Sequence, residues 1–147
     1  MKILLPVDGS ELSLQAVRTA ISLFGQGLSG SVVVAHVQEP ATLYEMVVAP
    51  DGAVLQRVST AAGVDALQQA EALLMAANVV YEREIVTGDP AHSIIDVAER
   101  FACDMILMGA HGSSALHDAL LGSVSREVLH AARIPVMIVK LVEDQLA

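Results

Sequence analysis

Short unbroken apolar runs alternate with longer stretches in which apolar residues recur every three or four positions. The runs are Ile3–Val7, Ser31–Val37, Met105–Met108 and Val136–Val139, each of the kind that a strand buried on both faces needs. Val79–Thr87 reads as a fifth strand, with Tyr81, Arg83, Ile85 and Val86 predicting partial exposure. Between the runs lie helical patterns. Ser10 can cap a helix striped by Leu14, Val17, Ile21 and Phe24, which Gly25, Gly27 and Gly30 release into the second strand. A second helix is expected over Thr60–Ala77, with Val64, Leu67, Ala70, Leu74 and Ala77 on one side. Asp89 then Pro90 is a helix start: the carboxylate caps and the proline takes the first helical position. Ile94, Ile95, Ala98, Phe101 and Ala102 form the stripe expected there. A last helix begins near Ser123, with Val124, Val128, Leu129 and Ala132, and Pro135 separates it from the closing strand. Glu39–Val58 is the least readable stretch: Pro50-Asp51-Gly52 signals a turn, Leu43–Val48 reads as either a strand-like or a helical insert, and the sequence does not decide between covering the cleft and contacting a partner.

The alternation of strand and helix predicts one α/β domain over residues 1–147, a three-layer α/β/α sandwich around a parallel sheet. In such sheets ligands bind beyond the C-terminal strand ends, where Asp8, Val37 and Gly109 fall.

Composition narrows the partners. A hydrophobic fraction of 54% with 17% charged residues argues against disorder. A net charge of −9 argues against nucleic acid, which needs a basic face, and two Phe, two Tyr and no Trp are too few for a base-stacking platform. The uncharged-looking run Thr19–Gln38 carries Ser22, Gly25, Gln26, Gly27, Ser29, Gly30 and Ser31 in its middle, so no membrane span is expected. Lys2 precedes only three apolar residues before Pro6, too few for a signal-peptide core, and Cys103 is a single cysteine. A soluble cytoplasmic protein is the expectation.

The candidate chemistry sits at Gly109-Ala110-His111-Gly112, followed after nine residues by Gly122-Ser123-Val124-Ser125. The order is strand, glycine-punctuated loop, helix. A helix start offers unpaired N–H groups and a positive dipole end, and glycines let an anion approach the main chain. The stretch is neither a Walker-type loop nor the dinucleotide fingerprint. The bland alternative is that Gly109 and Gly112 merely turn the chain and Gly122 marks a helix boundary. Asp8 likewise has two readings, a carboxylate for ribose hydroxyls or a metal, or a turn aspartate bonding its own backbone. Enzyme signatures are thin: the five histidines have no i,i+4 pair, Cys103 has no basic neighbour, and Gly112-Ser113-Ser114 is no nucleophile elbow.

The Gly-x2-Gly-x9-Gly-Ser pattern resembles the nucleotide-binding motif of the universal stress protein family. The resemblance extends over essentially the whole chain: Lys2–Ser10 is similar to that family's opening strand and Asp-x-Ser turn, Gly88-Asp89-Pro90 and Asp104–Gly109 to its third quarter, and Ile134–Lys140 to its closing strand. It implies a Rossmann-like, adenine nucleotide alpha hydrolase-like fold with five parallel strands in the order 3-2-1-4-5. It also implies ATP, or ADP or AMP, as ligand, with Mg²⁺ possible through the phosphates. By motif position it points to Pro6, Val7 and Asp8 on the first strand, Val37 against the adenine, and Met108, Gly109, His111, Gly112, Gly122, Ser123, Val124 and Ser125 for ribose and phosphate. Ser123 and Ser125 can add hydroxyl donors. The resemblance further implies a regulatory stress-response role with little or no turnover, an unknown protein partner, and a homodimer through Val136–Val139. An interaction module of the same fold that holds no nucleotide, and a slow ATPase, are the alternatives. One departure matters: no Lys or Arg lies between Gly112 and Gly122, Asp118 adds negative charge, and only His111 and His117 are near, with Arg126 one turn into the helix. Binding should therefore be modest and strengthened by divalent metal.

Overall fold

The computed structural model describes residues 1–40, 52–112 and 121–141. In chain order they form β1 (Lys2–Pro6), α1 (Glu11–Gly25), β2 (Ser31–Gln38), α2 (Gly52–Ala76), β3 (Tyr81–Thr87), α3 (Pro90–Arg100), β4 (Met105–Gly109), α4 (Ser123–Ala131) and β5 (Val136–Val139). All strand pairs are parallel and the sheet order is β3-β2-β1-β4-β5. The side chains of each strand alternate between two cores, as period two requires. Ile3, Leu5, Val32, Val34 and Leu107 face α1 and α2, meeting Leu14, Val17, Leu67 and Leu74. Leu4, Val33, Ile106 and Met108 face α3 and α4, meeting Ile94, Val97 and Val128. Helices on both faces of one parallel sheet complete the expected three-layer sandwich.

The chain winds outward from β1 to β3, then returns to place β4 and β5 on the other side, so β1 and β4 flank the switch point. That seam is tied at its base. Lys2 N–H donates to Asp104 Oδ2 and Asp104 N–H to the Lys2 carbonyl, both at 2.7 Å. The β1–β4 register covers only Ile3↔Met105 and Leu4↔Ile106, whereas β1 and β2 pair at five positions and continue through Val7 N–H to the Ala35 carbonyl. Above Leu4 the two central strands part, and a cleft opens.

Local chemistry fixes the helix ends. Ser10 Oγ accepts from Ser13 N–H at the start of α1, and Asp89 Oδ2 from His92 N–H at the start of α3 with Pro90 behind it, as expected. Asn78 (φ 55°) and Ala102 (φ 52°) turn left-handed after α2 and α3, returning Val79 N–H to Leu74 and Cys103 N–H to Ala98.

Three expectations need correction. The second helix starts at Gly52, not Thr60, so the C-terminal part of Glu39–Val58 is helical; residues 53–62 contain no glycine or proline to stop it. The rest of that stretch, residues 41–51, lies outside the described residues, including Leu43–Val48. The stripe of α3 runs through Ala91, Ile94, Val97 and Ala98, while Ala102 is exposed because the left-handed bend turns it out. Leu129 of α4 is 41% exposed, and its place in the core is taken by Ser125.

Candidate functional site

A cleft of about 450 Å³ opens where β1 and β4 part, within the size range of small-molecule sites. Pro6, Val7 and Asp8 line it from the end of β1, Val37 from β2, and Met108, Gly109, His111 and Gly112 from the end of β4. Gly122, Ser123, Val124 and Ser125 close it from the start of α4. The twelve residues singled out from sequence thus surround one space, joined by Ser13, Glu39, Pro90 and Ile94.

The glycines are there for room rather than for turning. None of Gly109, Gly112 and Gly122 has a positive φ. A Cβ on Gly109 would lie 3.0 Å from Leu12 Cγ and 3.3 Å from the Leu12 backbone, so β4 passes close beneath α1. One on Gly112 would meet Asp8 Oδ2 at 2.6 Å, and one on Gly122 would meet His111 Cα and Cβ at 3.2 Å. Gly112 therefore sits tightly over the end of β1, and Gly122 lies against His111. Gly122 N–H donates to the Ala110 carbonyl at 2.8 Å, pinning the neck of the loop. Ser125, 1% exposed, donates its hydroxyl to the same carbonyl at 2.5 Å and sits 3.1 Å from the Gly122 carbonyl.

This sorts the donors expected at the helix start. The Gly122 N–H and the Ser125 hydroxyl hydrogen are engaged within the fold, which corrects the expectation that Ser125 offers its side chain as a donor. The first intrahelical bond runs from Arg126 N–H to the Gly122 carbonyl. No group among the described residues accepts from the N–H groups of Ser123, Val124 and Ser125. They leave three main-chain donors at the positive end of the helix dipole, where an anion is favoured.

Asp8 makes the turn expected of it and still lines the cleft. Ser10 N–H donates to Oδ1 at 2.9 Å, closing an Asx turn through Gly9 (φ +85°), while Oδ2 is the atom that lies under Gly112. Cleft electrostatics are acidic: Asp8 and Glu39 line it and His111 is the nearest ionisable nitrogen, with no Lys or Arg among the described lining residues. Arg126 turns away, its guanidinium donating to the Leu121 carbonyl at 3.1 Å. His117 and Asp118 lie outside the described residues.

The universal stress protein family profile matches residues 1–140. The chain belongs to that family. A curated universal stress protein of Methanocaldococcus jannaschii, MJ0531, is 30% identical over 139 residues, spanning 95% of this chain and 81% of its own length. The solved structure of MJ0577 from the same organism superimposes with a TM-score of 0.82 at 29% identity, covering 96% of each chain. A universal stress protein solved in complex with cAMP is 25% identical with a TM-score of 0.70, covering 95% of this chain and 96% of its own.

Within this universal stress protein fold, the four lining residues not foreseen from sequence have simple origins. Pro90 and Ile94 were read only as a helix start and core stripe; their reach to the cleft depends on α3 lying beside α4, which no local pattern shows. Ser13 is 5% exposed, donates to the Ser10 carbonyl and receives Asp8 N–H at 3.4 Å, so it braces the turn. Cys103 lies away from the cleft, and burial pushes its thiol up, keeping it protonated and inert at neutral pH. No helix of the described residues is long and apolar enough to cross a membrane.

Proposed function

We propose that this universal stress protein binds an adenine nucleotide, ATP or its products ADP and AMP, and acts in the stress response through nucleotide and partner binding with little or no turnover. The observation that carries the reading is the row of N–H groups at Ser123–Ser125, from which no described residue accepts, in the same cleft as Gly112 and Asp8. Phosphate oxygens sit on those donors, backed by the Ser123 hydroxyl. Asp8 Oδ2 accepts from ribose hydroxyls. The apolar wall of Val37, Pro90, Ile94 and Met108 receives the base. A universal stress protein solved in complex with cAMP, itself an adenine nucleotide, supports this class of ligand. With no Lys or Arg among the described lining residues, charge on a triphosphate is offset by Mg²⁺, which takes phosphate oxygens and water more readily than a full protein cage. The same lack of cations removes the usual stabiliser of a phosphoryl-transfer transition state, so hydrolysis is slow at most.

A homodimer through β5 belongs to the same reading. It is the sheet edge opposite β3, it carries no charged side chain, and Met137 is 39% exposed. Heat-denaturing the purified protein and running the supernatant on anion exchange tests the function. An adenine nucleotide released near one per chain supports it. Nucleotide-free protein that also gives no heat on titration with AMP or ATP removes it, leaving an interaction module of the same fold.

A further inference from the structure

Behind the cleft, on the α2 side of the sheet, one side chain reaches across two strands. His36 Nδ1 lies 2.8 Å from the Val7 carbonyl oxygen. A carbonyl only accepts, so Nδ1 carries the hydrogen and the ring is fixed in that orientation. A continued parallel ladder would satisfy this carbonyl from a backbone N–H; here β1 has ended at Pro6 and an imidazole takes the place. The ring has room because α2 carries a glycine over it. A Cβ on Gly63 would stand 2.7 Å from His36 Cδ2 and 2.8 Å from Gln38 Nε2. One turn on, Ala66 Cβ is 3.6 Å from where a Cβ on Gly9 would be, so the same helix also backs the Asp8-Gly9-Ser10 turn. A glycine inside a helix costs stability, and one that stays has a packing reason.

We infer that His36 is a positioning residue for the nucleotide site. By holding the Val7 carbonyl from behind, it fixes the peptide that leads directly into Asp8, and with it the direction of Asp8 Oδ2 under Gly112. Gly63 is the space that lets it do so. This rests on the nucleotide reading above, but its structural half does not need a ligand. Val7 is 3% exposed, so without the imidazole its carbonyl has poor access to water and the end of β1 must move.

The test compares His36→Leu, His36→Asn and Gly63→Ala with the native chain. Two readouts are used: AMP titration by calorimetry, and hydrogen exchange of the Ser10 amide, which reports whether its bond to Asp8 Oδ1 persists. Asn keeps a donor at the Nδ1 position, Leu removes it, and Ala at 63 displaces the ring while improving helix propensity. His36→Leu and Gly63→Ala should each weaken AMP binding about tenfold, as loss of a supporting hydrogen bond does elsewhere. Both should also speed Ser10 exchange, with His36→Asn close to native in both. If His36→Leu does not fold, Gly63→Ala decides alone. Native AMP affinity and native Ser10 protection in Gly63→Ala and His36→Leu overturn the inference. If the native chain binds no AMP, ATP with Mg²⁺ is titrated instead; binding of neither removes the nucleotide reading, and unchanged or quickened Ser10 exchange still rejects or supports the role of His36.

Discussion

Ser125 has its hydroxyl hydrogen on a carbonyl fifteen positions back, and no sequence pattern points there. The caps at Ser10 and Asp89 were legible because the acceptor and its amide lie three residues apart. The contact of Ser125 with the Gly122 carbonyl is local, but its bond to Ala110 is not, and the sequence pointed to Ser125 only as a hydroxyl donor near the helix start. Replacing it by Ala leaves the Ala110 carbonyl with one donor fewer in a buried place. The Ala110 carbonyl keeps the Gly122 N–H, so Ser125→Ala should lower the unfolding free energy by about 0.5–1.5 kcal/mol in urea titration; no measurable change would mean the hydroxyl is dispensable. A second residue-scale prediction concerns His92 and Asp89, whose side chains lie 2.7 Å apart. The Asp89 hydrogen bond and then its charge raise the imidazole, and the His92 hydrogen bonds lower the carboxylate. A raised imidazole contributes fully below its ordinary 6.5 and loses that contribution as pH climbs through its higher folded value. The lowered carboxylate contributes above its ordinary 3.8 and loses that as pH falls through its folded value. The melting-temperature gap between the native chain and His92→Gln should therefore be widest between the two ordinary values, at about pH 4–6.5, and shrink as pH rises beyond them. The gap is small because both groups are exposed. A gap that widens toward pH 8 contradicts the assignment.

Elements were read correctly where their period was long and clean, as in α1 and the runs that became β2 and β4. Boundaries failed where the deciding force was elsewhere. The start of α2 was hidden because the Pro50-Asp51-Gly52 turn signal was taken as part of a loop rather than as a helix beginning. The outward turn of Ala102 was hidden because a left-handed residue there is normally glycine. Ala102→Gly should raise stability by up to about 1 kcal/mol by relieving that conformation, measured as a higher urea midpoint with the same slope. A lower midpoint would show that the added unfolded-state freedom outweighs the relief. The glycine loop was legible as a spacing, but the reason for each glycine was not. Sequence suggested room for an anion at the main chain, with turning as the bland alternative; the structure shows close approach to Leu12, Asp8 and His111, which depends on how β4 lies against β1 and α1.

At the scale of the molecule, alternation of strand and helix was enough for a parallel sheet covered on both faces. The strand order came from the family resemblance, since no local pattern distinguishes which neighbour β4 chooses. The convergence of β1, β2, β4 and α4 on one cleft follows from that order, because the chain reverses direction between β1 and β4. The dimer proposed through the uncharged β5 edge is a whole-molecule prediction. Met137→Lys, which places a charge on that edge, should halve the mass seen by light scattering, whereas a native chain that is already monomeric excludes the β5 interface. The central claim is that the main-chain donors of Ser123–Ser125, opened by Gly112 over Asp8, receive an adenine nucleotide. Calorimetric titration of the native chain and Gly112→Val with ATP, each with and without Mg²⁺, tests it most directly. Binding by the native chain that tightens with Mg²⁺, and its loss in a folded Gly112→Val chain, is the predicted result. Equal ATP binding by the two chains, or none by either, contradicts it.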